Sequence, residues 1–276
     1  MRISAKTKIC MIIGNPILHS LSPAMHNAAY EKLGLDDRFV FVAADVKPSE
    51  VQDVVRSVRV LGIHGLTCTA PHKIEVMKYL DEVDQIAKRI GAVNTVLNKN
   101  GKLIGFNTDW IGTVAPLEEL IDLKGKKVAL IGAGGASRAM AYGVLSRGAK
   151  LTIYNRTVEK AKEIAVEFDC EFSSLENSQD IRNADVIINS TTVGMGEGND
   201  KMPINPELIH SGQIVFDAIY DPFETKLLKL AKENGAKVIN GLEMLLHQGT
   251  AQFEIYTGEK APIDTMREIL MDSVYR

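Results

Sequence analysis

The stretch VALIGAGGASRAMAYGVL, residues 128–145, decides how the middle of the chain folds. An apolar run is followed by Gly132, Gly134 and Gly135, and then by a helical pattern. Glycine permits a sharp turn and lets backbone N–H groups approach a pyrophosphate, while the helix N-terminus adds a favourable dipole. Ser137 stands where a strict GxGxxG motif has its third glycine. The strand–loop–helix context predicts a dinucleotide site; the alternative is a tight turn whose small residues serve packing.

Short apolar runs alternate with helical patterns on both sides of this stretch, which predicts an α/β fold with largely parallel sheets in two lobes. The dipeptide Asn100-Gly101 indicates a β-hairpin turn. Helical patterns occupy 23–33, 49–60, 136–147 and 242–257, and the last is followed by a short tail. The predicted strands are 9–13, 39–44, 63–69, 126–131, 150–154, 185–189, 213–217 and 237–240.

The composition fits a globular protein of two modest domains. The chain has 276 residues, 45% hydrophobic and 24% charged, with a formal net charge of −3, and it shows no basic stripe for nucleic acid. Cys10, Cys68 and Cys170 form no CxxC or Cys/His cluster, so we predict no metal site and a reducing, cytoplasmic setting. The N-terminal apolar run is too short for a membrane span and lacks a cleavage site.

The strand after the glycine loop ends at Asn155-Arg156-Thr157, where an NAD-binding chain usually carries Asp or Glu. A carboxylate there binds the ribose 2′-hydroxyl and repels a 2′-phosphate, whereas arginine offers a planar charged fork for phosphate oxygens. Asn155 and Thr157 add neutral donors, and Lys160 follows about one helical turn later. The pattern favours NADP over NAD; a solvated surface arginine is the alternative.

Two polar motifs lie early in the first half of the chain. In GNPILHSLSPAMHNAAY (14–30), Ser20 and Ser22 alternate along an extended segment before a helix, where two hydroxyls can hold a carboxylate. Ser22 taken alone is more typical of a helix N-cap. In GLTCTAPHK (65–73), a strand ends at Thr69 and a helix is predicted to begin at Pro71, which places Lys73 in its first turn.

A lysine at this end of a helix opposes the macrodipole, which is a small indication of function; most such lysines are simply solvated. We expect the neighbouring His72 to be solvated or to cap the helix.

Further polar residues follow in GAVNT (91–95), GFNTDWIG (105–112) and GLEMLLHQGTAQF (241–253). Asn94 adjoins a predicted strand, and Asp109 lies near the crossover to the second lobe. Asp109 could also be an N-cap, because a helical pattern begins at the next residue. Gln248 carries an amide on a helix with an apolar face, and a glutamine at the edge of the core is the alternative interpretation.

Taken together and in order, these motifs resemble those of the shikimate dehydrogenase family along nearly the whole chain. The resemblance implies a discontinuous substrate-binding catalytic domain, 1–110 with 242–276, and a Rossmann-type NADP-binding domain at 111–241. Family members usually have Asn where this chain has Thr67. The motifs that carry the resemblance are SLSP, TAPHK, GAVNT, GFNTD, GAGGASRA, NRT, NSTTVGM, YDPFET and GLEMLLHQG.

The resemblance also implies roles for individual residues. Ser20 and Ser22 would hold the substrate carboxylate, with Tyr220 as a further substrate neighbour. The residues that would contact the ring hydroxyls and the reacting oxygen are Thr69, Lys73, Asn94, Asp109 and Gln248. Those that would line NADP are Gly132, Ala133, Gly134, Gly135, Ala136, Asn155, Arg156, Thr157, Lys160, Thr191, Ile219, Gly241 and Met244.

The reaction that the resemblance implies is the reversible reduction of 3-dehydroshikimate to shikimate in the aromatic amino acid (chorismate) pathway, with hydride from NADPH. Lys73 would donate the proton directly or through water, and Asp109 would orient the ammonium and take part in the transfer. Shikimate oxidation should then be favoured at alkaline pH. Two alternatives stay open, a dehydrogenase of mixed quinate and shikimate specificity and a non-catalytic NADP(H) sensor. The sequence also leaves a homodimer open.

Overall fold

The computed structural model describes residues 3–196, 198 and 200–274, which form two compact units. The first unit comprises Met1–Thr108 with Gln248–Arg276, and the second comprises Asp109–His247. The predicted domain boundaries at 110 and 242 remain a prediction. In the described part of the chain, no helix is both long and apolar enough to cross a membrane.

The first unit is built on a mixed six-stranded sheet with the order β2-β1-β3-β5-β6-β4. Strands β1, β2 and β3 are parallel, whereas β5 runs antiparallel to both β3 and β6. The strands are β1 (Lys8–Gly14), β2 (Phe39–Asp45), β3 (Gly65–Cys68), β4 (Glu82–Val83), β5 (Thr95–Lys99) and β6 (Lys102–Phe106). The helices are α1 (Ser22–Lys32), α2 (Val51–Val60) and α3 (Gln85–Ile90).

The predicted hairpin joins β5 to β6. Its turn residues Asn100 and Gly101 have φ values of 54° and 89°. Two successive positive φ values are typical of the type I′ turn, whose twist matches that of the flanking strands. The hairpin makes β5 antiparallel to β6, and because β5 is also antiparallel to β3 the sheet is mixed rather than wholly parallel.

The second unit is a parallel six-stranded sheet with the order β12-β11-β10-β7-β8-β9, the doubly wound arrangement of a Rossmann fold. Its strands are β7 (Lys127–Ile131), β8 (Lys150–Asn155), β9 (Glu171–Ser174), β10 (Val186–Asn189), β11 (Ile214–Asp217) and β12 (Lys237–Ile239). Its helices are α4 (Asp109–Glu118), α5 (Gly135–Ser146), α6 (Val158–Phe168) and α7 (Lys226–Glu233).

Both faces of the second sheet are covered, which explains why its strands are continuous apolar runs. Val128 and Leu130 pack into one buried cluster, and the alternating residues Ala129 and Ile131 pack into another on the opposite face. A strand buried on both sides shows no polar alternation, so its polar end residues stand out.

The C-terminal part of the chain differs from the prediction of a helix and a short tail. Helix α8 (Gly241–Thr257) is confirmed, but a further helix, α9 (Ile263–Val274), follows and packs against α1. Its buried residues Met266 and Leu270 are four positions apart, the spacing of one helical face. The tail prediction was therefore wrong.

Aromatic rings fill the side of the first sheet that faces α1 and α8. Tyr30 lies 5.5 Å from Phe39 and 5.4 Å from Phe253, measured between ring centroids. His26 stacks on Phe41 with centroids 4.3 Å apart, and burial lowers the pKa of its imidazole to about 3. His26 is therefore a neutral core residue at physiological pH.

Candidate active site

Four strands of the first sheet bring polar residues to one edge. The parallel strands β1 and β3 both end there, and antiparallel β5 begins there because Thr95 pairs with Thr67. Thr95 also pairs with Phe106, so β6 ends at the same edge. Backbone hydrogen bonds join the connecting segments, from Asn15 N to Ala70 O at 3.2 Å and from Val93 N to Lys73 O at 2.8 Å. Segments far apart in sequence thus meet at a single edge.

Ser20 and Ser22 lie at the start of α1, which follows β1 in the chain. Helix α1 begins at Ser22 itself, its N-cap residue is Leu21, and no side chain caps it. The expectation that Ser22 is an N-cap was therefore wrong. The hydroxyl of Ser20 instead accepts a hydrogen bond from Ser22 N at 3.3 Å.

The segment after β3 carries Thr69 and Lys73, both half-buried. The expected helix at Pro71 is absent: residues 70–74 form a turn, and a short 3-10 helix begins at Glu75. The prediction failed because the backbone here bonds outside any helix, with Thr69 N donating to Ile13 O at 2.9 Å and Lys73 O accepting from Val93. Lys73 thus lies in a loop rather than in the first turn of a helix, and the macrodipole argument does not apply.

His72 is buried, contrary to the expected solvated or capping role. Its side chain is 1% exposed, and Nε2 lies 2.8 Å from Val46 O. His72 therefore fixes the turn against the segment after β2 and points away from solvent.

Asn94 and Gln248 are buried and hydrogen-bonded to each other. Asn94 Oδ1 accepts hydrogen bonds from Thr108 N and from Thr95 Oγ1, both at 2.8 Å. Its Nδ2 donates to Thr108 Oγ1 at 2.9 Å and to Gln248 Oε1 at 3.4 Å. Asn94 thereby fastens the loop after β6 to α8, which places Gln248 at the polar edge.

Thr67, where the family usually has Asn, lies in the same buried network. Its hydroxyl is 2.9 Å from Tyr256 OH and donates to Gln252 Oε1 at 3.5 Å. Gln252 Nε2 donates in turn to Thr95 Oγ1 at 3.1 Å. The shorter side chain is therefore engaged with two residues of α8.

Asp109 and Tyr220 belong to the second unit. Asp109 is the first residue of α4 and is 3% exposed. Tyr220 follows β11 and is half-buried; burial, and then the nearby Asp221 carboxylate, raise the pKa of its phenol to about 12.

The glycine loop after β7 is shaped by close contacts. Gly132 has a φ of 112°, and a Cβ on it would lie 2.4 Å from Ser190 Oγ. Gly134 is the N-cap of α5, and its N–H donates to Ser137 Oγ at 2.9 Å. The serine that replaces the third glycine of the motif therefore holds the loop, and its hydroxyl lies 2.7 Å from that of Ser190. A Cβ on Gly134 would meet no atom within 4 Å, so space lies open above the loop.

The predicted phosphate-binding residues follow β8 as expected. Arg156, Thr157 and Lys160 are exposed, and Asn155 Nδ2 donates to Thr157 O at 2.8 Å. Asn155 thus shapes the turn, while Arg156 and Lys160 supply positive charge at the carboxyl end of β8, next to the strand that carries the glycine loop.

Four further predicted cofactor residues follow strands β10, β11 and β12. Thr191 is half-buried after β10, and Ile219 follows β11. Gly241 begins α8, where a Cβ would lie 2.3 Å from Ala218 O, so only glycine fits. Met244 is 8% exposed on the same helix.

Two residues of this region were not predicted from the sequence, Asn189 and Asp217. Both are fully buried and end the apolar runs DVIIN and QIVFD. The sequence feature that could have indicated them is a polar residue at the end of an otherwise apolar strand. Among the described residues, no group of three or more His, Cys, Asp or Glu side chains could hold a metal ion.

The parallel sheet, the glycine loop at a helix start and the charged turn after β8 define a dinucleotide-dependent oxidoreductase with a separate substrate-binding unit. Residues 12–96 match the shikimate dehydrogenase substrate binding domain, 116–195 match shikimate / quinate 5-dehydrogenase, and 241–271 match the shikimate 5′-dehydrogenase C-terminal domain. The chain belongs to the shikimate dehydrogenase family.

Relatives match nearly the full length of the chain. The shikimate dehydrogenase (NADP(+)) of Methanocaldococcus jannaschii is 45% identical over 99% of this chain and 99% of its own. A crystal structure of a shikimate dehydrogenase in complex with NADP+ has a TM-score of 0.93, with 43% identity over 99% of this chain and 98% of that one. The Thermus thermophilus enzyme in complex with NADP(H) and shikimate has a TM-score of 0.90, with 36% identity over 97% of this chain and 100% of that one.

Proposed function

We propose that this chain catalyses the reversible, NADP-dependent reduction of 3-dehydroshikimate to shikimate, a step in the aromatic amino acid (chorismate) pathway. The observation that carries the proposal is the convergence of Thr69, Lys73, Asn94 and Gln248 on one edge of the first sheet. These residues come from segments distant in sequence, and a packed core alone gives no reason for hydroxyl, ammonium and amide groups to gather there.

In this proposal the first unit binds the substrate through complementary polar groups. The hydroxyls of Ser20 and Ser22 bind the carboxylate, because both lie at the N-terminal end of α1, where the helix dipole favours an anion. Thr69, Asn94 and Gln248 bind the ring hydroxyls. Asn94 and Gln248 are held by each other, and Asn94 also by Thr108, so they bind without a large loss of side-chain entropy. Tyr220 is a further substrate neighbour.

Lys73 and Asp109 handle the proton in this proposal. The Lys73 ammonium donates a proton to the ketone oxygen as that oxygen gains negative charge, directly or through one water. Asp109 orients the ammonium and takes part in the transfer. In the oxidation direction Lys73 accepts the proton and must begin as the free amine, so the oxidation rate rises with pH.

The second unit fits NADP. The open space above Gly134 and the start of α5 suit a pyrophosphate, and the close contact at Gly132 leaves no room there for a side chain. Arg156, with Lys160, suits the 2′-phosphate. Bound NADPH supplies the hydride. The other residues of the proposed NADP site are Ala133, Gly135, Ala136, Asn155, Thr157, Thr191, Ile219, Gly241 and Met244.

The test is a steady-state assay that follows NADPH by its near-ultraviolet absorbance, with shikimate and quinate each paired with NADP+ and NAD+. The proposal expects the highest kcat/KM for shikimate with NADP+. No turnover despite NADP+ binding would support a sensor instead, the other alternative from the sequence. Quinate dehydrogenation is the second candidate, because the family matched by residues 116–195, shikimate / quinate 5-dehydrogenase, is named for both substrates.

The cellular setting and the assembly are also proposals. Cys10, Cys68 and Cys170 are free thiols, which a reducing cytoplasm maintains. A homodimer is the remaining partner prediction, and analytical ultracentrifugation of the full chain tests it.

A further inference from the structure

A buried carboxylate joins the ends of two neighbouring strands in the second unit. Asn189 ends β10, Asp217 ends β11, and the two residues are paired in the parallel register. Asn189 Nδ2 donates to Asp217 Oδ1 at 3.0 Å, and both side chains are 0% exposed. Thr225 Oγ1 donates to Asp217 Oδ2 at 2.7 Å. The carboxylate thus accepts hydrogen bonds from neutral groups in a place where burying a charge is costly.

Each of the two side chains also shapes the turn that follows its own strand. Asn189 Oδ1 accepts hydrogen bonds from Thr191 N at 3.1 Å and Thr191 Oγ1 at 2.7 Å. Asp217 Oδ1 accepts a hydrogen bond from Ile219 N at 3.2 Å. The side chain of each strand-end residue therefore fixes the residue two positions later, as Asx turns do.

The same arrangement reaches the start of α8. Gly241 N donates to Ile219 O at 3.1 Å, and a Cβ on Gly241 would collide with Ala218 O. The turn that Asp217 holds is thus the one against which Gly241 packs. Three segments at the carboxyl edge of the sheet depend on one carboxylate, and this edge is where doubly wound sheets bind their ligands.

We infer that Asp217 is a positioning residue for the dinucleotide, which holds Thr191 and Ile219 in place through Asn189 and through its own turn. The inference rests on the proposed function, in which Thr191, Ile219 and Gly241 line NADP. Asp217 itself is buried and acts through these residues. An asparagine at this position would offer one acceptor oxygen and two hydrogens, so it could not accept all three hydrogen bonds.

The test compares Asp217→Asn with Ile214→Val, a conservative change in the buried residue at the opposite end of the same strand. NADP+ binding to the full chain is measured by isothermal titration calorimetry. Asp217→Asn is expected to raise the Kd for NADP+ about ten-fold, the equivalent of one hydrogen bond. Ile214→Val is expected to leave the Kd within about two-fold of wild type while lowering thermal stability.

A double-mutant cycle with Thr191→Val separates positioning from general destabilisation. If Asp217 acts through Thr191, the two substitutions together raise the Kd by less than the product of their separate effects. Multiplicative effects, or an unchanged Kd for Asp217→Asn, would overturn the inference. If Asp217→Asn does not fold, judged by the fluorescence of Trp110, Asn189→Leu replaces it, since it keeps the volume and removes the acceptor for Thr191. A wild-type Kd in that variant overturns the inference equally.

The outcomes also separate the inference from the proposed function. Weaker NADP+ binding by Thr191→Val with normal binding by Asp217→Asn and Asn189→Leu would reject the positioning role and leave the proposed function intact. A wild-type chain that fails to bind NADP+ would reject both.

Discussion

The side-chain amide of Asn94 donates a hydrogen bond to that of Gln248 at 3.4 Å, across 154 residues of sequence. The contact ties the start of β5 to α8 and leaves two amides side by side at the polar edge of the first sheet. Such an arrangement is stiff, because Asn94 Oδ1 is held by two further donors.

Replacing Gln248 should weaken shikimate binding. Gln248→Ala removes one substrate hydrogen bond and a partner of Asn94, so we expect KM for shikimate to rise about ten-fold. KM for NADP+ should stay within about two-fold of wild type. The control is Gln52→Ala on the exposed face of α2, which should change neither constant. Equal behaviour of the two variants in steady-state kinetics would contradict the assignment.

Replacing Lys73 should abolish most of the turnover and spare cofactor binding. We expect Lys73→Ala to lower kcat by about 10²–10⁴-fold, the usual contribution of a general acid, with an unchanged Kd for NADP+. Lys73→Arg should not restore turnover, because arginine keeps the charge and does not give up its proton. The matched control is Lys78→Ala, whose ammonium pairs with Glu75 at 2.6 Å. Near-normal kcat for Lys73→Ala would reject the role of proton donor.

Replacing Arg156 should change the choice of cofactor. A charge-assisted hydrogen bond contributes about 1.5–3 kcal/mol, so Arg156→Ala should raise KM for NADP+ about 10- to 100-fold. KM for NAD+ should hardly change, because NAD+ has no 2′-phosphate. Arg182→Ala, an exposed arginine of the same unit, serves as the control. An equal loss for both cofactors would argue against contact with the 2′-phosphate.

Protonation of Asp217 should make the second unit more stable in mild acid. Burial, opposed by the hydrogen bonds from Thr225, Ile219 and Asn189, raises the pKa of this carboxyl from 3.8 to about 6. A raised pKa means that the folded state binds the proton more tightly than the unfolded state. Relative to Asp217→Asn, wild type should therefore lose roughly 3 kcal/mol of unfolding free energy as pH rises from below 3.8, where both states are protonated, to above about 6, where both are ionised.

Urea unfolding at several pH values, followed by Trp110 fluorescence, measures this difference. Trp110 is the single tryptophan and lies in the second unit, so its signal reports on that unit. A difference between wild type and variant that stays constant with pH, or that grows in favour of wild type as pH rises, would show that Asp217 does not titrate as described.

Local patterns predicted most of the fold. The sequence predicted the glycine loop after β7, the hairpin at Asn100-Gly101 and the helix from Gly241, because each depends on residues adjacent in sequence. The loop around Lys73 was not, since its backbone bonds with Ile13 and Val93. Helix α9 was missed although Met266 and Leu270 have helical spacing.

The polar residues of the candidate site were partly visible in the same way. Ser20, Lys73 and Asp109 belong to polar motifs that interrupt the apolar runs, whereas Asn189 and Asp217 are marked only as polar residues that end an apolar strand. Their importance comes from pairing in register, 28 residues apart, which depends on how the sheet is assembled. No local pattern carries that information.

The discontinuity of the first unit has a consequence for how the chain folds as it leaves the ribosome. The rings of Tyr30 and Phe253 pack together, yet one is translated early and the other near the end. The intervening segment, Asp109–His247, contains its complete sheet and can fold while synthesis continues. The strands of the first unit, by contrast, are synthesised before α8, which covers their aromatic face. Nascent chains arrested before α8 should therefore expose that face to chaperones.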